Sequence, residues 1–224
     1  MILTTKWKSI YPGAMIGIIE MTGIVNTDPD SILQKRASEV EASIKSNYAG
    51  YDRKQLLDLP ALHVYADYYK RFDKTYHVLL QLESVLLKSK TIRGPSPIVL
   101  TMFLAEMKGL LLTAVHDLEK VKGEPVVDVA IGSEQYTTMA GSDQILKAGD
   151  MFIRDDEGIL SSIIYGPDQR TMIRQDSRKI LFTIYAPAGI KKEDLEDHLQ
   201  DLENYVHLFS PNAQVVDHAI LAAG

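Results

Sequence analysis

The hydrophobic period of this chain shifts from helical to strand-like near Lys108, and that change limits the folds open to it. Before it, apolar residues recur at helical steps. Leu33, Ala37, Val40, Ile44 and Tyr48 form one stripe, and Val78, Leu79, Leu82, Val85 and Leu86 form another. After it come short β-type runs separated by Gly, Pro, Asp and Ser: Val126–Ile131, Met151–Arg154, Ser161–Tyr165, Arg170–Ile173 and Lys179–Tyr185. A strand at Met15–Ile24 precedes the helices. A last helix from about Lys191 to Phe209, with Leu195, Leu199, Leu202, Val206 and Phe209 on one side, follows the strands, and Val215–Leu221 adds an edge strand. Helical and strand blocks in this order predict an α+β fold, with helices packed on a β-sandwich or partly open barrel.

Punctuation sharpens the boundaries. Asp28-Pro29-Asp30 reads as a helix start, with a cap, a proline at the first helical position and an acid in the first turn. Ser96-Pro97 repeats the device ahead of Ile98–Lys108, a helix apolar nearly all round and therefore buried. Between them, Val64–Phe72 places Tyr65, Tyr68 and Tyr69 beside Lys70 and Arg71. At helical spacing these tyrosines read as the rim of a core; the alternative is a stacking surface for bases or an aromatic ligand.

Several chemistries are excluded. The chain has no cysteine, which removes disulfides, thiolate nucleophiles and cysteine-bound zinc. Its six histidines show no metal-ligand spacing, and no nucleophile elbow, phosphate-binding loop or dinucleotide fingerprint occurs. His198 and His207 lie on the acidic last helix and read as surface residues. The carboxylates at Asp150 and Asp155-Asp156-Glu157 read as an acidic turn rather than a metal site, so neither metal nor cofactor is expected. A net charge of -6 is wrong for a protein that wraps nucleic acid along an extended face, and DNA is not an expected partner. Two local basic patches remain, Lys88-Lys90-Arg93 and Arg170-Arg174-Arg178-Lys179, each long enough only for a short single-stranded end. No apolar run reaches the ~20 residues of a membrane span, and no leader is evident, so a cytoplasmic address and no membrane partner are expected.

Two blocks carry a family resemblance. Val115-His116-Asp117-Leu118-Glu119-Lys120-Val121 with Gly123, and Gly149-Asp150-Met151-Phe152-Ile153-Arg154-Asp155-Asp156-Glu157-Gly158, together resemble the B3/B4 domain of the phenylalanyl-tRNA synthetase beta subunit. The likeness spans about residues 64–187 and is closer to stand-alone B3/B4 proteins than to the synthetase. It implies a three-layer α+β domain over 1–224, with a strand-helix extension at 1–60 and the last helix at 191–209. The implied ligands are a tRNA 3′ end and an aromatic amino acid. The family reaction is hydrolysis of a mischarged tyrosyl ester by a positioned water, which depends on orientation and hydrogen-bond donors.

Laid on this chain, the family's editing residues are largely replaced. The motif histidine falls on Ala114, a polar Val-Thr-Asn step on Thr101-Met102-Phe103, and the tyrosine-selecting glutamate on Thr183. Only a small-residue turn persists, from Ser161 to Gly166. The expected function is therefore binding of an aminoacyl, tRNA-end or aromatic amino-acid ligand, with trans-editing deacylation as an open question. A non-catalytic RNA- or small-molecule-binding module and a small ester or amide hydrolase are the alternatives. His116 and Ser162 are the candidates for catalysis; Gly132, Glu134, Ser161, Tyr165, Gly166, Arg170 and Thr171 are the candidates for substrate binding. Asp117 is expected to pin the turn into Leu118, and because neighbours in a strand point oppositely, the role of His116 stays open.

Overall fold

In the computed structural model, which describes residues 1–27 and 31–223, two β-sheets and a helical layer enclose a continuous apolar core. The expected cap at Asp28-Pro29-Asp30 lies outside the described residues. In chain order the elements begin with β1 (Ile2–Leu3), α1 (Thr5–Ile10), β2 (Met15–Thr22) and α2 (Ser31–Asn47). Then come α3 (Arg53–Leu57), α4 (Pro60–Lys70), α5 (His77–Lys88), α6 (Pro97–Gly109) and β3 (Thr113–Asp117). The rest are β4 (Val126–Val129), β5 (Gln135–Thr137), β6 (Asp143–Ile145), β7 (Met151–Arg154), β8 (Ile159–Ser162), β9 (Gly166–Pro167), β10 (Lys179–Ala186), α7 (Lys192–Phe209) and β11 (Gln214–Ala222).

One large sheet runs β11-β2-β10-β3, all antiparallel, the other β1-β4-β7-β8-β9, in which β1 pairs in parallel and the rest antiparallel, and β5 and β6 form a separate two-stranded antiparallel sheet. The two large ones stack as separate open sheets, so the sandwich alternative holds and the barrel does not. Along β10, alternation assigns the faces. Ile184 meets Leu195 of α7 beside Gly17, where a Cβ would lie 2.9 Å from Leu195 Cδ1. Tyr185 turns the other way, its hydroxyl 2.8 Å from Ser161 Oγ in the second sheet. Helix α7, the four-stranded sheet and the five-stranded sheet are thus three successive layers.

Helix α4 locks the layers together through the tyrosines at issue in the sequence. The Tyr65 hydroxyl donates to the Tyr185 carbonyl and accepts from Leu112 N–H at 3.0 Å. That of Tyr68 donates to Asp150 Oδ1 at 2.9 Å, and that of Tyr69 to the Ile163 carbonyl. All three are buried, and Tyr65 stacks on Tyr76 at 4.4 Å. They are core rather than a stacking platform, their polar ends satisfied as burial demands.

The predicted strand at Arg170–Ile173 is absent. Asp168 accepts the Thr171 N–H at 3.1 Å and also its hydroxyl, which coils the chain where a strand would run. Pairing in β8 likewise stops at Ser162, whose Oγ accepts the Tyr165 N–H at 3.1 Å and closes a turn.

Candidate ligand-binding site

A cavity of about 330 Å³ lies between α5, α6, β3 and the turn joining β8 to β9. Its walls are mostly apolar: Val99, Met102 and Phe103 from α6, Ala114 and Val115 from β3, and Met172-Ile173 from the coil after β9. Helix α6 forms one wall because Ser96 caps its start, accepting the Val99 N–H, with Pro97 at the first helical position. The polar groups on the lining are few: His77 and Gln81 from α5, Glu106 from α6, Thr113, Ser162 and Tyr185. Predominantly apolar walls with a few placed polar groups are what small-molecule sites have in common.

Glu106 is the unusual member. It is 1% exposed, and its Oε1 accepts the Thr113 N–H at 2.9 Å while Oε2 has no partner among the described residues. Burial pushes its carboxyl up to about 8, although the Thr113 N–H pulls the other way, so the group is neutral at pH 7. Thr113 also reaches His198 of α7, Oγ1 to Nε2 at 2.7 Å. His198 is 1% exposed and packs on Gly109, where a Cβ would lie 2.6 Å from Nδ1; burial drops it to about 3. The expectation of a surface histidine is corrected here: position 198 falls on the buried stripe of α7, between Leu195 and Leu202. His77, on the cavity wall, is lowered by burial to about 4 and is a neutral imidazole.

Of the residues singled out in the sequence, Ser162 and Gly166 lie on the cavity wall. Ser162 is buried near Asp150, whose carboxyl burial raises to about 7. Ser161 stands behind the wall, bonded to the Tyr185 hydroxyl. Tyr165 is half-buried against a satellite cluster of Ala130, Tyr136, Leu146, Phe152 and Ile159.

The other candidates point elsewhere. His116 is fully buried off the cavity, Nδ1 2.8 Å from Thr171 Oγ1 and Nε2 unpartnered among the described residues. Burial, then Arg170, lowers it to about 3. Asp117 does not touch it: its Oδ1 accepts the Glu119 N–H at 3.0 Å and its Oδ2 the Ser177 hydroxyl at 2.7 Å, which pins the turn as expected. Arg170 is occupied by Asp155 through a two-pronged pair at 2.8 and 3.0 Å and by the Lys120 carbonyl at 2.7 Å. Asp155 in turn accepts the N–H groups of Lys122, Glu157 and Gly158. These bonds outweigh its burial and hold the carboxyl below the usual range. The carboxylate run at 155–157 thus organises a turn, and no group of three metal-ligating side chains occurs among the described residues.

Gly132 and Glu134 make a loop of their own. Backbone N–H groups of Ile131, Gly132 and Ser133 all point at the Glu134 carboxylate, at 2.9–3.1 Å. Thus Thr171, Arg170, Glu134 and Gly132 are committed to local structure away from the cavity.

Sequence reasoning passed over Glu106, His77 and Gln81. A signal for Glu106 was present: it is the one acid in Pro97–Gly109, a helix apolar nearly all round. A groove adjoining the cavity shares His77, Gln81 and Phe103 with it and carries the exposed Lys90 and Arg93. That places the first of the two basic patches beside the cavity. Among the described residues, no helix is long and apolar enough to cross a membrane.

Residues 80–208, more than half of the chain, match the family model described as the B3/4 domain. Over 82 residues the chain is 30% identical to the phenylalanine–tRNA ligase beta subunit of Fusobacterium nucleatum, covering 36% of this chain and 10% of that protein. An N-terminal fragment of the phenylalanyl-tRNA synthetase beta subunit from Pyrococcus horikoshii shares the fold, with a TM-score of 0.50 and 13% identity over 95% of this chain and 49% of that one. The chain thus spans about a tenth of its curated relative and about half of the solved fragment.

Proposed function

The chain belongs to the B3/4 domain family, and from that premise we propose that its cavity binds the aminoacyl group at an RNA 3′ end, with an apolar or aromatic side chain seated against Met102, Phe103 and Ala114. The observation that carries this reading is the cavity itself, about 330 Å³ of mostly apolar wall with a handful of buried polar groups. Ala114 and Met102 make the chamber greasier than one built to read a phenol. Thr183, where the family resemblance puts an acidic selector, is fully buried but is not among the cavity's lining residues. Lys90 and Arg93 in the adjoining groove supply positive charge where a phosphodiester chain would leave the cavity. Arg170 is not counted with them, because Asp155 already holds its guanidinium.

Binding does not require hydrolysis. Attack by a water needs donors for the developing oxyanion; Ser162, Gln81 and Glu106 are polar groups on the lining that could serve, whereas Thr113 is already bonded to Glu106 and His198.

The test is calorimetric titration of the protein with a short RNA hairpin ending in CCA, uncharged or carrying phenylalanine through a stable amide, beside Ala114→Phe. The charged hairpin binds the wild type more tightly than the uncharged one, and filling the cavity removes the difference. Equal affinities for the two hairpins in the wild type refute the reading. Release of the amino acid from ester-linked, mischarged tRNA, measured in parallel, decides between binding alone and deacylation.

A further inference from the structure

We propose that Glu106 determines specificity in this cavity by donating a hydrogen bond from a protonated Oε2 to an uncharged acceptor on the ligand, so that an amide- or ester-linked amino acid is held and a free carboxylate is refused. This inference rests on the cavity being a site for an amino-acid group. It adds which chemical form of that group is read and by which atom.

The geometry is specific. Oε1 is taken by the Thr113 N–H at 2.9 Å, and Oε2 is the oxygen left over, buried and without a partner among the described residues. Glu106 is one of the residues that line the cavity, which makes a molecule inside it the candidate partner for Oε2. An apolar residue would be the less costly choice at this point of an otherwise greasy helix. A buried carboxyl with half its capacity unused carries a desolvation cost that the Thr113 N–H offsets only in part.

Charge decides the form of the ligand. No lysine or arginine stands among the described residues that line the cavity. Lys108, two residues along α6, turns away to Asp201 at 2.6 Å. A ligand carboxylate would therefore enter without a counterion, which buried anions do not tolerate, whereas an amide or ester carbonyl needs only a donor.

The titratable groups around Glu106 are all uncharged at neutral pH. Tyr65, Tyr69 and Tyr76 face it from α4 and the start of α5, their phenols pushed up by burial. His77 also lines the cavity and His198 is bonded to Thr113, both neutral. None of them supplies a cation that would ionise Glu106. In the ionised state the donor is lost, so ligand affinity falls as pH rises through about 8.

The experiment compares L-phenylalaninamide with L-phenylalanine on the wild type, Glu106→Gln and Glu106→Leu, by calorimetry from about pH 6 to pH 9. Thermal melts confirm that each variant is folded. The amide binds the wild type at least tenfold more tightly than the free acid. E106Q keeps a donor at the same place, so it keeps that affinity near pH 6 and lacks the alkaline loss; the ligand's own amine titrates equally in both proteins and cancels. E106L weakens the amide roughly tenfold near pH 6, the worth of one buried hydrogen bond, and the gap closes towards pH 9 as the wild type loses its donor. Wild type and E106L binding the amide alike near pH 6, or the free acid binding as well as the amide, overturns the role of Glu106 while leaving the cavity reading intact. Neither probe binding the wild type overturns both.

Discussion

Glu106→Gln should make the folding stability of this protein less sensitive to pH between about 5 and 8, with no ligand present. A carboxyl whose folded value is raised contributes its full share of stability below the unfolded value, and that share is lost as pH climbs towards the folded one. Here the unfolded value is 4.5 and the folded one about 8, raised by complete burial. Each unit within that window corresponds to about 1.4 kcal/mol for one proton. Integrated from about pH 5 to pH 8, the wild type loses on the order of 3 kcal/mol through this group. Glutamine preserves the shape of the side chain, its Oε1 still accepts from Thr113, and it carries no proton to lose. The assay is urea unfolding of both proteins at several pH values. The difference between the two curves isolates Glu106, because every other group titrates alike in both. Wild type and E106Q running parallel across the window would show that Glu106 is already ionised, and the neutral-donor reasoning would fail.

Two further outcomes follow from the fold. Asp155→Ala removes the acceptor for three backbone N–H groups and the partner of Arg170. It should cost about 3 kcal/mol near neutral pH, the low end for a buried pair because Arg170 is 29% exposed. Since the folded Asp155 carboxyl lies below its usual value, that deficit is full above about pH 4 and shrinks in more acid solution, which acid titration of both proteins by circular dichroism would follow. Gly94→Ala should cost roughly 1–3 kcal/mol, seen as a lower Tm. Its Cβ would lie 2.5 Å from the Leu100 backbone nitrogen and 2.7 Å from Leu100 Cα, where backbone cannot give way cheaply; an unchanged Tm would mean the turn into α6 is looser than described.

Periodicity and capping made most of the architecture legible. The change near Lys108 separates α6 from the strands; Ser96-Pro97 opens α6 as read, and the last helix and the edge strand β11 lie where the pattern put them. What escaped was made by distant partners. β1 is two residues long and exists because Ile2 and Leu3 pair with Val126 and Val127 across the chain. Arg170–Ile173 has strand composition, yet Asp168 captures Thr171 locally. The same limit governs the site. Ser162 and Gly166, which line the cavity, belong to a small-residue turn that is visible in sequence. Arg170 and Thr171 were chosen for their chemistry, and that chemistry is spent on Asp155 and Asp168; Gly132 and Glu134 were chosen for a break in a strand, and that break is a loop closed on the Glu134 carboxylate. His198 was read from its acidic neighbours instead of from its place on the apolar stripe. Glu106 was hidden by the helix that buries it, although a lone acid in such a helix is the signal to look for.

The most direct measurement is a crystal structure of the protein with the phenylalanylated hairpin mimic. The account predicts the phenylalanine ring between Met102, Phe103 and Ala114, its carbonyl oxygen within hydrogen-bond distance of Glu106 Oε2, and the RNA leaving past Lys90 and Arg93. An amino-acid moiety lying outside this cavity, with the space between α6 and β3 empty, would contradict it.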